Sequence, residues 1–133
     1  MIIVDSGVWI DYFNGNNTHE ADILDNLLGS QEVAIGDLII LEVLQGFRSD
    51  KDYKIAKDHL TSLVQYNMLN SDLAIKAAEF YRKLRKNGIT IRKTVDVIIA
   101  TFCIENTHPL LFSDRDFQPF VDNLGLRPVV TRT

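Results

Sequence analysis

A chain of 133 residues, 46% hydrophobic and 24% charged, has the composition of an ordinary globular protein and is long enough to bury one substantial core. Its net charge of −4 excludes broad, nonspecific affinity for nucleic acid, although a local basic patch stays compatible with it. No apolar run approaches the ~20 residues that span a bilayer. The opening Met1-Ile2-Ile3-Val4-Asp5 lacks the basic region and cleavage site of a signal peptide, and the lone Cys103 has no partner for an internal disulfide, so a cytoplasmic protein without membrane contact is expected.

Ile2–Val4 reads as a buried strand. Ser6 is predicted to cap a short helix that runs to about Phe13 and ends at Asn14-Gly15. A second helix starts near Asn17 or Thr18, with Glu20 placed as in a capping box, and stops before Gly29. Val33–Ile35 is a short strand, after which Asp37 caps a strongly apolar helix reaching about Phe47. Ser49 opens a further helix with Ile55, Leu60 and Leu63 on one side, and Asn67–Leu69 forms a brief strand. Ser71 caps the most amphipathic helix, in which Ala74, Ala77, Ala78, Tyr81 and Leu84 follow helical spacing and Gly88 ends the element. Thr94 caps an apolar helix through Ile104. Leu110–Phe112 is a strand, Phe117–Leu124 a short helix and Val129–Val130 a last strand. Strands alternating with helices imply βαβ units: an α/β fold, one domain over residues 1–133, with a short parallel β-sheet flanked by helices on both faces.

Four acids interrupt this apolar pattern. Asp5 closes Ile2-Ile3-Val4, Glu42 is the one charge inside Leu38–Leu44 after Asp37, Asp96 lies between Val95 and Val97, and Asp114 follows Leu110–Ser113. Buried carboxylates are costly unless they are paired, hydrogen-bonded or holding a metal. In a parallel sheet, ligands bind beyond the carboxyl ends of the strands, where Asp5 and Asp114 both fall. Asp96 sits in a first helical turn, and Glu42 reaches the same edge if its helix leans over the sheet. Such an all-oxygen set suits Mg²⁺, with Mn²⁺ as substitute, and no Cys/His cluster suggests zinc. The plainer readings are helix caps for Asp5 and Asp114, an ordinary first-turn acid for Asp96 and a buried ion pair for Glu42.

The opening strand ending in Asp5-Ser6, the helical Glu42, Thr94-Val95-Asp96-Val97-Ile98-Ile99-Ala100 and Ser113-Asp114-Arg115-Asp116-Phe117 together resemble the PIN domain, and their order and the chain length resemble the VapC-type toxins of bacterial toxin–antitoxin modules. The resemblance implies a Mg²⁺- or Mn²⁺-dependent endoribonuclease. It implies Asp5, Glu42, Asp96 and Asp114 as the acidic quartet, with Asp5, Asp96 and Asp114 on the metal. Asp116 matches a further, more variable acid, and Ser6 a small hydroxyl residue beside the first Asp. A homodimer and a cognate VapB-type antitoxin whose tail covers the active site are implied too.

Arg82-Lys83-Leu84-Arg85-Lys86 and Arg92-Lys93 concentrate positive charge ahead of Asp96. Arg85, Lys86, Arg92 and Lys93, with Arg115 and Ser6, are the candidate contacts to an RNA backbone, against the plainer reading of a solvated helix end. Trp9, Tyr12 and Phe13 read as core or dimer contacts. His19, His59 and His108 are dispersed in polar surroundings and suggest no catalytic pairing. Two other classes share acids at the edge of a parallel sheet. A receiver domain needs a late Lys, and none follows Lys93; a haloacid-dehalogenase-type phosphatase needs Asp-x-Asp, where this chain has Asp5-Ser6-Gly7.

Overall fold

A computed structural model describes residues 1–30 and 32–129. Four parallel strands, β1 (Ile2–Val4), β2 (Val33–Gly36), β3 (Val64–Tyr66) and β4 (Leu110–Leu111), form a sheet in the order β3-β2-β1-β4. β1 and β2 are almost wholly buried, as expected of short Ile/Val-rich runs covered on both faces. Around them stand α1 (Ser6–Phe13), α2 (His19–Leu28), α3 (Asp37–Leu44), α4 (Asp50–Thr61), α5 (Ser71–Lys86), α6 (Thr94–Glu105) and α7 (Gln118–Leu124), with a 3₁₀ turn at Arg115–Phe117. They pack in two groups, α1 to α4 and α5 to α7, which flank the sheet as the alternation of elements predicts. None of these helices is long and apolar enough to cross a membrane.

The strand order places the site. From β1 the chain builds outward through β2 to β3, then returns to lay β4 on the other side of β1. The switch point of the sheet therefore lies between β1 and β4, where crevices open in such folds. Ile3 pairs with Leu110 and Val4 with Leu111, and the Asp5 amide donates to the Leu111 carbonyl at 2.9 Å. Asp5 is thus tied to the carboxyl ends of both strands.

Several boundaries differ from the sequence reading. The predicted caps Ser6, Asp37, Ser71 and Thr94 are each the first helical residue; the caps are Asp5, Gly36, Asn70 and Lys93. Thr18 caps α2 through the Ala21 amide, and α3 stops at Leu44, short of Phe47. Asp37 instead uses one carboxylate oxygen to accept from the amides of Leu38 and Met68, which pins the stretch after β3. The third strand lies three residues earlier than Asn67–Leu69. In α4 Leu60 is buried as expected, but Ile55 is 55% exposed and Ala56 is buried in its place. β4 stops at Leu111, and the helix expected from Phe117 begins at Gln118, after the 3₁₀ turn. Next to the last expected strand, Val129–Val130, the parallel bridge to Leu110 is made one residue earlier, by Pro128, while the Val129 amide donates to the Leu110 carbonyl; Val130 lies outside the described residues.

Candidate active site

Local structure brings the quartet together. Asp5 leaves β1 and caps α1 without spending its side chain on a cap hydrogen bond. Glu42 is on α3, the helix that starts directly from β2. Asp96 is the third residue of α6, and Asp114 follows β4 and caps the 3₁₀ turn. All four carboxylates line one cavity of about 300 Å³, with Ser6, Gly7, Ile10, Gln45 and Lys93 completing the wall.

The energetics of this cavity are unfavourable as it stands. Asp5 and Asp96 are each only 4% exposed. Asp5 Oδ1, Glu42 Oε1 and Asp96 Oδ2 are buried and have no hydrogen-bond partner among the described residues. Burial, reinforced by the charges of Asp96 and Glu42 and opposed by the Ser6 and Gly7 amides, pushes the Asp5 carboxyl up to about 7. Burial likewise lifts Asp96 to about 6; Lys93 opposes the rise, while Asp114, Glu42 and Asp116 add to it. The ion pair considered for Glu42 is absent among the described residues. Cap duty does not explain Asp5 either: the Ser6 and Gly7 amides offset only part of the rise, and Oδ1 stays without a partner among the described residues.

A second grouping extends outward from Asp96. Asp96, Asp114 and Asp116 each present an oxygen within 4.8 Å of the others. At that spacing two full charges repel by about 3 kcal/mol at an effective dielectric of ~20. The Asp116 amide donates to Asp114 Oδ1 at 2.9 Å, so the 3₁₀ turn holds these two acids in register. Asp96 and Asp114 belong to both groupings. Hard oxygen donors with unused lone pairs, converging on a cavity, fit a divalent cation such as Mg²⁺ or Mn²⁺.

The predicted substrate contacts separate. Ser6 and Lys93 line the cavity. Arg92 is 77% exposed and its Nε lies 3.4 Å from Asp116 Oδ2, outside the lining. Arg85 places its guanidinium 5.5 Å from the Tyr81 ring centre, Lys86 is exposed in the last turn of α5, and Arg115 is exposed on the 3₁₀ turn. Ile10, Gln45 and Gly7 belong to the wall without having been singled out in the sequence. Gln45 stands one helical turn after Glu42, the one signal that would have found it. An added Cβ at Gly7 would meet Asp5 Oδ2 at 3.7 Å and Ser113 Oγ at 3.8 Å, which places Ser113 at the same edge. Trp9 is wholly buried, so the core reading of the first helix holds for it. Two histidines lie in aromatic rather than polar surroundings: His59 among Trp9, Tyr12 and Phe13, and His108 against Tyr66 and Phe102.

The family model of the PIN domain matches residues 2–121. Among curated proteins, the chain is similar to a VapC ribonuclease of Mycobacterium bovis and to ribonuclease VapC11 of Mycobacterium tuberculosis, each 27% identical over 119 residues that cover 88% of this chain and 89% of the relative. Among solved structures, it resembles VapBC2 of Rickettsia felis bound to a DNA fragment from the promoter (TM-score 0.75, 17% identity, 97% of this chain and 98% of that one). It also resembles VapBC-1 of nontypeable Haemophilus influenzae (TM-score 0.70, 20% identity, 97% of both chains). At these identities the structural likeness establishes the fold.

Proposed function

The chain belongs to the PIN domain family, and from that premise we propose that it is a Mg²⁺- or Mn²⁺-dependent endoribonuclease, the toxin of a type II toxin–antitoxin pair, which inhibits translation by hydrolysing RNA phosphodiester bonds. The observation that carries the reading is the set of buried, unpartnered oxygens on Asp5, Glu42 and Asp96. A structural role would have given those oxygens partners.

Asp5, Asp96 and Asp114 hold the cation, with Glu42 and Asp116 completing the acidic set. When bound, the cation supplies a water of lowered pKa and offsets charge that builds on the phosphate. The chain's own work is placement. β1 and β4 fix Asp5 and Asp114 at one edge, α6 presents Asp96 from its first turn, and α3 brings Glu42 over the opening. Ser6 lies beside Asp5 on the cavity wall, where its hydroxyl can position substrate. The similarity to VapC ribonucleases and to VapBC complexes supports an RNA substrate and a VapB-type antitoxin that covers this edge. The same likeness supports a homodimer within a cytoplasmic toxin–antitoxin assembly.

The test is incubation with total RNA and mapping of the cut ends. Cleavage should stop in EDTA and return with Mg²⁺ or Mn²⁺, and Asp5→Asn and Asp96→Asn should fail to cut. If both variants cut as fast as the wild type, the acidic cavity is not the catalytic site.

A further inference from the structure

The basic residues around the acidic cavity are not equivalent. Arg85 lies over Tyr81, and Arg92 is paired with Asp116. Arg82 borders a separate apolar groove with Tyr81, Val97 and Ile98. Lys93 alone among them lines the cavity that holds Asp5, Glu42, Asp96 and Asp114.

Its backbone is fixed relative to Asp96. Lys93 is the N-cap of α6, and its carbonyl accepts the Asp96 amide at 3.1 Å. Lys93 therefore lines the cavity from the same turn that presents the buried acid, close enough for its charge to act on Asp96. Among the described residues it forms no ion pair with a carboxylate. The side chain is exposed, so its charge is available to something arriving from solvent.

Charge balance says what that is. Four carboxylates line the cavity, and one divalent cation would still leave two negative charges there. A phosphodiester brings another. A cavity of this sign repels a nucleic-acid backbone unless a mobile cation stands at its mouth, and a lysine ammonium on a flexible stem is a compact charge suited to that place.

We propose that Lys93 seats the scissile phosphate: its ammonium holds a non-bridging oxygen of the RNA backbone over the cavity formed by Asp5, Glu42, Asp96 and Asp114. The inference rests on the RNA hydrolysis proposed above and assigns that reaction a substrate-binding residue. Arg92, in contrast, lies outside the cavity wall with its Nε 3.4 Å from Asp116 Oδ2.

The test compares wild type, Lys93→Gln, Lys93→Arg and a Lys83→Gln control, the last exposed on α5 and outside the cavity wall. Three quantities are measured: kcat/KM on a mapped RNA, RNA affinity in EDTA across a salt series, and Mn²⁺ affinity by electron paramagnetic resonance. Lys93→Gln should lose about 10- to 100-fold in kcat/KM, the range expected for one charge-assisted hydrogen bond. Lys93→Arg should recover most of it, and Lys83→Gln should change it by less than about threefold. The salt slope of RNA binding should shrink by about one in Lys93→Gln. Mn²⁺ affinity should stay the same or tighten, because a neighbouring cation has been removed. Wild-type kcat/KM in Lys93→Gln overturns the proposal and leaves the nuclease reading standing. Loss of Mn²⁺ binding in Lys93→Gln also overturns it, because the residue would then be a prop of the metal site. If the wild type itself cuts no RNA with either metal, the nuclease reading fails and this proposal falls with it.

Discussion

Replacing Asp5 by Asn should make the metal-free protein more stable, which is the opposite of what removing a structural carboxylate does. Asp5 is 4% exposed, and one of its oxygens has no hydrogen-bond partner among the described residues. Its carboxyl is pushed from 3.8 to about 7, so keeping it ionised in the fold costs about 4 kcal/mol at ~1.4 kcal/mol per pKa unit. Asparagine has nearly the same shape and no charge to desolvate. The rise is already net of the favourable Ser6 and Gly7 amide interactions, so the expected gain at pH 8 is about 4 kcal/mol, or on the order of 10 °C in Tm for a chain of this size. The sign follows from linkage. An acid whose pKa is raised by folding contributes stability below its unfolded pKa and loses it as pH rises through the folded value. The difference between Asp5→Asn and wild type should therefore be near zero below pH 4 and grow between pH 4 and about 7. Thermal melts followed by circular dichroism in EDTA, from pH 4 to 8, measure this directly. Saturating Mn²⁺ should then raise the wild type much more than the variant, since a ligand at 100 times its Kd contributes about 2.7 kcal/mol. If Asp5→Asn melts below wild type in EDTA at pH 8, the carboxylate is making bonds the fold needs, and the argument for a cation fails.

Asp96→Asn should fold normally and lose cleavage on the order of 100-fold or more, read on the mapped RNA. At fixed, subsaturating Mn²⁺, wild-type cleavage should climb between pH 6 and pH 8 as Asp96, held near 6, and Asp5, held near 7, release protons and bind the cation; a flat profile would contradict this. Arg92→Gln should shift stability by less than about 1 kcal/mol in urea unfolding, because its pair with Asp116 is made by an arginine 77% exposed. Gly36→Ala should cost about 1–3 kcal/mol in the same assay, since the new methyl group would run into the buried Met68 side chain at the end of β2.

The acids were legible because each breaks a strong local pattern. Asp5 ends a β-branched run, and Asp96 interrupts an apolar helix whose neighbours Val97, Ile99 and Ala100 are buried. That contrast survives in one dimension. Helix starts were less legible, and the error has a consistent form: at α1, α3, α5 and α6 the expected cap is one residue late. Asp, Ser and Thr mark the neighbourhood of a helix start, but the cap is the residue with an extended backbone. In three of these helices that residue makes no side-chain cap bond, so side-chain preference carries no signal there. The third strand was misplaced because Val64-Gln65-Tyr66 and Asn67-Met68-Leu69 both contain apolar residues, and only the first pairs in register with Ala34, Ile35 and Gly36.

What sequence could not supply is the division of labour among charges. Arg92 and Asp116 are 24 residues apart, and nothing local says they pair while the adjacent Lys93 does not. Yet that pairing decides which cation faces the cavity. Neighbouring residues at a helix N-terminus point in different directions, and here the turn sends Arg92 to the 3₁₀ turn and Lys93 towards Asp96. Asp116 shows the same effect in reverse. In the sequence it is the least secure of the acids, yet with Asp96 and Asp114 it forms a cluster of oxygens within 4.8 Å. Asp5 sits deeper, where its burial and its unpartnered oxygen make it the sharper test of whether a cation belongs there. Acid positions in the sequence point to one edge of the sheet, but only burial and hydrogen bonding separate Asp5, Glu42 and Asp96, each with an unpartnered buried oxygen among the described residues, from Asp116, which the fold pairs with Arg92.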